Sequence, residues 1–259
     1  MAGQPAHRPA PGIPAGPAVR VSVVVPVLDD AAHLRTCLAS LAAQTRPADE
    51  VIVVDNGSTD ESAAVARAFG ARVVPEPVRG IPAAAATGSD AATGDVIARC
   101  DADSTLPADW IEHLVRVFGR NPHLDAVTGP GSFHDLPRGV RHLAGGFYFV
   151  GLFAGFGSAI ANIPLWGSNM AIRASAWREV TDRVHRTTPG IHDDLDLSCV
   201  LGPRARIRYM PGVGVEVAGR MFSSPAAARQ RFAWAMATLR LNRADLGTVD
   251  RWAIRLGVR

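Results

Sequence analysis

A chain of 259 residues, 47% hydrophobic and 20% charged, can bury a sizeable core, which excludes a disordered or fibrous protein. A formal net charge of +3 is too small to call for a nucleic-acid partner, and none is expected. It suits an anionic nucleotide or an anionic membrane face. The three cysteines, Cys37, Cys100 and Cys199, are an odd number at wide spacing. That argues against a disulfide framework or zinc ribbon and fits a reducing compartment, with the thiols acting as small buried side chains.

Residues 1–19 are mostly Pro, Ala and Gly, and prolines interrupt every apolar run. They read as a disordered tail rather than a signal peptide, leaving residues 20–259 as one cytoplasmic domain. Val21–Val25 is a short, nearly continuous apolar run stopped by Pro26, as expected of a strand buried on both faces. Leu34, Cys37, Leu38 and Leu41 then recur at helical spacing. Val51–Val54 is a second buried strand, and Ser58-Thr59-Asp60-Glu61 reads as a capping box opening a helix that stops at Gly70. Val73-Val74 is a third strand, Pro82–Ala92 a helix, and Val96–Cys100 a fourth strand. A helix carrying Trp110, Leu114, Val115 and Phe118 precedes a strand at Asp125–Thr128. Strands alternating with helices at this spacing indicate an α/β fold with a largely parallel sheet.

The second half is less regular. From Leu143 to Ile172 there is no charged residue, a run long enough for the roughly 20 residues a membrane span needs. Gly145, Gly146, Gly151, Gly155 and Gly157 crowd it and Pro164 interrupts it. A buried segment or an interfacial, acceptor-binding surface at residues 143–166 is therefore expected, with peripheral contact at the inner face of the cell membrane as its extension. Then follow a strand at Asn169–Ile172, a helix over Ser175–Val184, and strands around Ile207–Met210 and Val213–Val217. A helix from Pro225 to Arg243 sets Phe232, Met236 and Leu239 on one face.

Ligands of open α/β sheets bind beyond the carboxyl ends of the strands. Three such ends carry acids: Asp29-Asp30, Asp55-Asn56-Gly57-Ser58 and Asp101-Ala102-Asp103. Two carboxylates one residue apart can both turn toward magnesium or manganese, which favour oxygen and bridge carboxylates to substrate phosphates. A second cluster, His192-Asp193-Asp194-Leu195-Asp196, could supply a base, or could be acids favoured at a helix N-terminus.

These residues also resemble a known family. Val21–Asp30, Val53–Asp60, Asp101-Ala102-Asp103, Gly167-Ser168-Asn169-Met170-Ala171-Ile172-Arg173 and Asp193–Leu197 are similar, in that order, to family 2 glycosyltransferases of the GT-A fold. The resemblance implies a Rossmann-like nucleotide-binding half, about residues 20–130, and a mixed-sheet acceptor half, about 131–259. It implies inverting transfer of a single sugar from a UDP- or GDP-sugar to a hydroxyl, with Mg2+ or Mn2+ assisting. Pro26, Leu28, Asp30, Asp55 and Arg79 would bind the donor, and Asp101 and Asp103 the diphosphate and metal, with Asp103 the more direct ligand. Gly167, Ser168 and Asn169 would form the acceptor-side floor. Asp194 would be the base, with Asp193 supporting it. The apolar 143–166 segment points to a lipid-linked or membrane-associated acceptor.

Departures from the family pattern are also present. Many relatives carry Arg-Asn where this chain has Ala85-Ala86, which leaves Arg79 as the expected substitute. Leu28 stands where an aromatic often stacks on the base. Gln230-Arg231-Phe232-Ala233-Trp234 lacks the Arg of the Gln-x-x-Arg-Trp motif of processive synthases, which favours single-sugar transfer. Arg220 follows a strand and is a candidate for the diphosphate. A non-catalytic scaffold of the same fold is the alternative, motivated by Ala85-Ala86 and Ala233. A nucleotidyltransferase fits less well, because no Gly-rich basic loop follows the first strand, and no Gly-x-Gly-x-x-Gly supports a dehydrogenase.

Overall fold

The computed structural model describes residues 19–137, 143, 145, 146 and 148–258, so most of the proline-rich tail and Phe147 lie outside the described residues. Strand β1 (Val21–Val27) lies in the middle of a sheet, paired in parallel with β2 (Glu50–Asp55) on one side and β4 (Val96–Arg99) on the other. Its valines are buried on both faces, which is why the run reads as continuous rather than alternating. The exception, Ser22, is satisfied at depth: its hydroxyl donates to Glu50 (2.7 Å) and accepts from the Gly94 amide (2.9 Å). Pairing with β4 ends at Val24, so Pro26, with no N–H to give, sits beyond the last rung on that side.

The full sheet has seven strands in the order β3-β2-β1-β4-β7-β5-β8, with β3 at Arg72–Pro75, β5 at Ala126–Thr128, β7 at Met170–Arg173 and β8 at Ile207–Tyr209. Helices α1 (Ala31–Ala42) and α4 (Trp110–Arg120) cover one face through Leu34, Leu38, Trp110, Leu114 and Phe118. Helices α3 (Ile81–Ala91) and α6 (Ala174–Val180) cover the other, and α2 (Ser62–Ala68) packs beside α1. Gly88 lets α3 lie on the sheet: a Cβ there would fall 2.3 Å from Val24 Cγ1 and 2.7 Å from Val54 Cγ2.

The second half departs from simple alternation. Strand β7 runs antiparallel to both β4 and β5, inserting between them. Two further strands, β6 (Gly131–Phe133) and β9 (Val215–Val217), form a small parallel sheet, bridged to Thr105 through Glu216. Residues 151–156 form a π-helical stretch running into α5 (Gly157–Ile160). Then come α7 (Asp193–Leu201), a 3-10 turn at Arg220–Phe222, α8 (Pro225–Arg243) and α9 (Thr248–Arg255).

Two local expectations are corrected. The Ser58–Glu61 capping box does not form. Helix α2 starts at Ser62 without a side-chain cap bond, because Ser58 accepts the Asp29 amide and Asp60 accepts those of Ala31 and Ser62. The helix expected to reach Val184 stops at Val180. Helix α8 buries Ala235, Thr238 and Asn242 and leaves Phe232 63% exposed. A polar network decides that choice: Asn242 donates to buried Asp196 (2.7 Å), and Thr238 accepts the His192 amide (2.9 Å). All three cysteines are free and buried, as expected; Cys37 and Cys100 share a thiol–thiol hydrogen bond at 3.8 Å and no disulfide.

Candidate active site

The carboxyl ends of β1, β2 and β4 meet the loop before β7, the first turn of α7 and the 3-10 turn at Arg220. On the β1 side, half-buried Pro26 is followed by Leu28, 38% exposed at the rim. Asp29 has a left-handed φ of 49°, and its carboxylate takes the Thr59 amide (2.6 Å), which lowers its pKa. That contact fixes the β1 loop against the β2 loop. Asp30 accepts from His33 Nδ1 (2.7 Å) and pairs with Arg220. Asp55 accepts the Ser58 amide (2.9 Å), while Asn56 donates to the carbonyls of Glu76 and Val78 and accepts the Gly80 amide. These bonds set the loop that carries Arg79, an exposed side chain reaching the Gly57 carbonyl at 3.3 Å.

At the end of β4, Asp101 and Asp103 point to different partners. Asp101 accepts from Arg99 (3.0 Å) through one oxygen and from the Ser168 hydroxyl (2.5 Å) through the other. Asp103, 14% exposed at its side chain, lies 3.1 Å from Arg220 Nε. Burial, reinforced by the charge of Asp101 and opposed by Arg220, pushes the Asp103 carboxyl up to about 6. Arg220 thus joins Asp30 to Asp103, linking the loop after β1 to the end of β4.

The acids of α7 diverge because successive helical residues turn by about 100°. Asp194 accepts the Gly167 amide (2.8 Å) and faces the floor loop. Asp193 turns to Arg99, and burial, partly offset by Arg99, raises its carboxyl to about 6. Asp196 faces away, taking both the amide and Nδ1 of His185. In the floor loop, Gly167 and Ser168 meet the acids directly. Asn169 lies beneath, its side chain committed to Trp110 Nε1 (2.9 Å) and the carbonyls of Pro130 (2.9 Å) and Val213 (2.7 Å).

Aromatic rings cover one side of the floor loop. Phe149 meets Trp166 edge to face at 4.9 Å, tying the floor loop to the helical 148–160 segment, and Phe133 of β6 bridges Phe222 (5.0 Å) of the Arg220 turn to Tyr148 (5.8 Å) of that segment. Leu143 and, within that segment, Val150, Gly151, Ala154, Gly155 and Ser158 are exposed and uncharged. Among the described residues, no helix is long and apolar enough to cross a membrane.

Sequence reasoning missed Arg99. It is buried and stands between Asp101 and Asp193. Burial acts against its charge, but Asp193, Asp101 and Asp194 outweigh it and raise its pKa. The available signal was an arginine ending an apolar strand, since a buried charge needs a partner.

An α/β sheet with this mixed order and with acids gathered at its carboxyl edge is the GT-A architecture. The chain belongs to glycosyl transferase family 2, whose model matches residues 22–178, more than half of the chain. A mannosyltransferase from Pyrobaculum calidifontis, solved with GDP-Man and Mn2+, superposes with TM-score 0.58 at 25% identity, covering 77% of this chain and 57% of that one. Glucosyl-3-phosphoglycerate synthase from Mycobacterium tuberculosis, solved with Mn2+, UDP and glucosyl-3-phosphoglycerate, superposes with TM-score 0.59 at 22% identity, covering 86% and 80%. A glucosyl-dolichyl phosphate glucuronosyltransferase of Haloferax volcanii is 32% identical over 149 residues, 54% of this chain and 48% of its own. The chain spans roughly a third to a half of the length of the curated relatives it matches.

Proposed function

We propose that this glycosyltransferase transfers one sugar, with inversion, from a UDP- or GDP-sugar to a hydroxyl of a lipid-linked acceptor. The observation that carries the reading is the floor loop. Ser168 bonds Asp101 and Gly167 bonds Asp194, so one short loop holds the donor-side acid and the acceptor-side acid in register. Residues 20–130 would form the donor half and 131–259 the acceptor half. Pro26, Leu28, Asp30, Asp55 and Arg79 would line the donor pocket, with Arg220 turning from Asp103 toward the diphosphate.

Asp103 and Asp101 fit a magnesium or manganese ion. Both offer oxygen, and the burial and the Asp101 charge that together raise Asp103 are offset by a divalent cation. Such an ion, when bound, would offset the charge that develops on the leaving diphosphate. Asp194 would take the proton of the acceptor hydroxyl as its oxygen attacks the anomeric carbon and the bond to the diphosphate breaks. The exposed, uncharged residues Leu143, Val150, Ala154 and Ser158 support a membrane-associated acceptor, and the glucuronosyltransferase relative supports a lipid phosphate as its carrier.

A thermal-shift panel of UDP, GDP and their glucose and mannose conjugates tests the reading. One nucleotide series should raise the unfolding midpoint with manganese and not with EDTA, because a ligand at about 100 times its Kd adds about 2.7 kcal/mol. A panel in which no nucleotide shifts the midpoint with manganese sinks it.

The raised Asp103 carboxyl also sets a pH dependence. Its folded pKa, about 6, lies above the ordinary aspartate value of 3.8. Its contribution to stability is therefore complete below about pH 4 and lost as the pH rises through 6. Metal binding needs the ionised form, so it runs the other way. Manganese-dependent nucleotide affinity, followed by calorimetry, should fall by up to about tenfold per unit below pH 6 and level off above it. A flat profile from pH 5 to 7.5 would remove Asp103 from the metal site.

A further inference from the structure

We propose that Arg99 is a positioning residue for sugar transfer, whose guanidinium holds the donor-side Asp101 and the acceptor-side Asp193 at a fixed separation. The inference rests on the donor and acceptor roles given to those two sides above.

Strand β4 explains how an arginine comes to lie there. Side chains alternate along a strand, so Ala98 packs toward α1 and α4 while Ile97 and Arg99 face α3 and α7. Arg99 is 7% exposed. Nη2 donates to Asp101 Oδ1 at 3.0 Å and Nη1 donates to Asp193. The two acids stand on different elements, β4 and α7, and the planar fork spans them in a way that a single ammonium cannot.

The surroundings are cut to this side chain. A Cβ on Gly167 would fall 2.5 Å from Arg99 Nη1 and 2.7 Å from Cζ, so the guanidinium lies against the bare backbone of the floor loop. The same glycine donates its amide to Asp194. On the other side, Ala85 and Ala86 of α3 line the cavity that Arg99 and Asp193 also line, leaving room beside the fork. Among the described residues, Arg99 Nε is the buried side-chain nitrogen without a hydrogen-bond partner. An arginine kept only as a brace would gain from a partner there; this one spends its two terminal nitrogens on two functional acids.

A buried arginine can also serve stability alone, and the two roles separate in kinetics. Misplacing reacting groups by about 1 Å can cost about 10²-fold in turnover with little effect on ground-state binding. Arg99→Lys keeps the charge and loses the fork. Nucleotide release from UDP-glucose or GDP-mannose, whichever the manganese panel selects, should be measured with and without a polyprenyl phosphate acceptor. Calorimetry gives the Kd of UDP or GDP with manganese. Well below the variant's unfolding midpoint, kcat should fall by about 10²-fold while Kd changes by less than about threefold. Gly167→Ala, which pushes on the guanidinium without removing it, should give the same split.

Should Arg99→Lys not fold, Arg99→Gln/Asp193→Asn removes both charges at near-constant volume, and it should fold yet stay impaired in transfer. Parent-like kcat in a folded Arg99→Lys or in that double variant overturns the proposal. So does a loss shared equally by binding and turnover. Asp103→Asn and Asp194→Asn belong in the same assay. If those two also leave transfer intact, it is the reading of the site that fails, and not the role of Arg99 within it.

Discussion

Asp194→Asn should lower kcat for sugar transfer by about 10²–10⁴-fold, the range a positioned general base contributes, while nucleotide affinity stays as in the parent. The carboxylate faces the floor loop and accepts the Gly167 amide at 2.8 Å and the Leu195 amide at 2.8 Å, one through each oxygen. An asparagine oxygen can keep one of these bonds and not both, which costs about 1 kcal/mol of stability and leaves the fold in place. It cannot take a proton from the acceptor. Among the described residues, the Asp194 carboxylate bonds the Gly167 and Leu195 amides and not Asp101, Asp103 or the β1 and β2 loops proposed to bind the donor, so Kd for nucleotide is the control. Steady-state kinetics at saturating donor, with calorimetry beside them, check both halves. A variant that keeps kcat within about threefold would show that the proton goes elsewhere, with half-buried Asp193 the next residue to replace.

The first half of the chain was legible because its signals are local. Val21–Val25, Val51–Val54 and Val96–Cys100 are apolar runs stopped by Pro26 or by acids, and buried parallel strands have that appearance wherever they occur. The acids at their ends follow from the sheet's geometry. Beyond β5, the decisive contacts are distant in sequence. The three-residue strands β6 and β9 pair across more than eighty residues of chain, and β7 inserts antiparallel, so neither leaves a periodic signature. Helical spacing sets Phe232, Met236 and Leu239 on one face but does not say which face is buried; Thr238, Asn242 and Asp196 have polar groups that burial obliges to pair, and their network sets the rotation of the helix. Arg99 and Arg220 illustrate the same limit within the site. Arg220 meets Asp30 across 190 residues and Arg99 meets Asp193 across 94, and each pairing exists only once the sheet edge is assembled.

Asp103→Asn should separate stability from activity most sharply. Above pH 6 the ionised carboxylate sits in a pocket that burial and Asp101 make unfavourable, and its rise from 3.8 to about 6 corresponds to about 3 kcal/mol of lost stability at neutral pH. The sign follows from the direction: a raised acid favours the fold when protonated and opposes it once charged. An amide of the same shape carries no such penalty. Against this, Arg220 Nε loses a charged partner at 3.1 Å, but its Nη2 keeps Asp30, and the arginine is half-exposed, so the loss is worth less than about 1 kcal/mol. The variant should therefore unfold at the parent's midpoint or above it at pH 7.5, and lose that advantage below pH 5. Transfer should nevertheless fall by about 10³-fold or more, because offsetting the diphosphate's charge is worth several kcal/mol and Asp101, shared with Arg99 and Ser168, is left as the one carboxylate of the pair. Manganese should no longer raise the midpoint in the presence of nucleotide. A variant that is destabilised at pH 7.5 would mean Asp103 serves the fold through Arg220. One that stays stable and still responds to manganese would move the cation site onto other residues of this sheet edge.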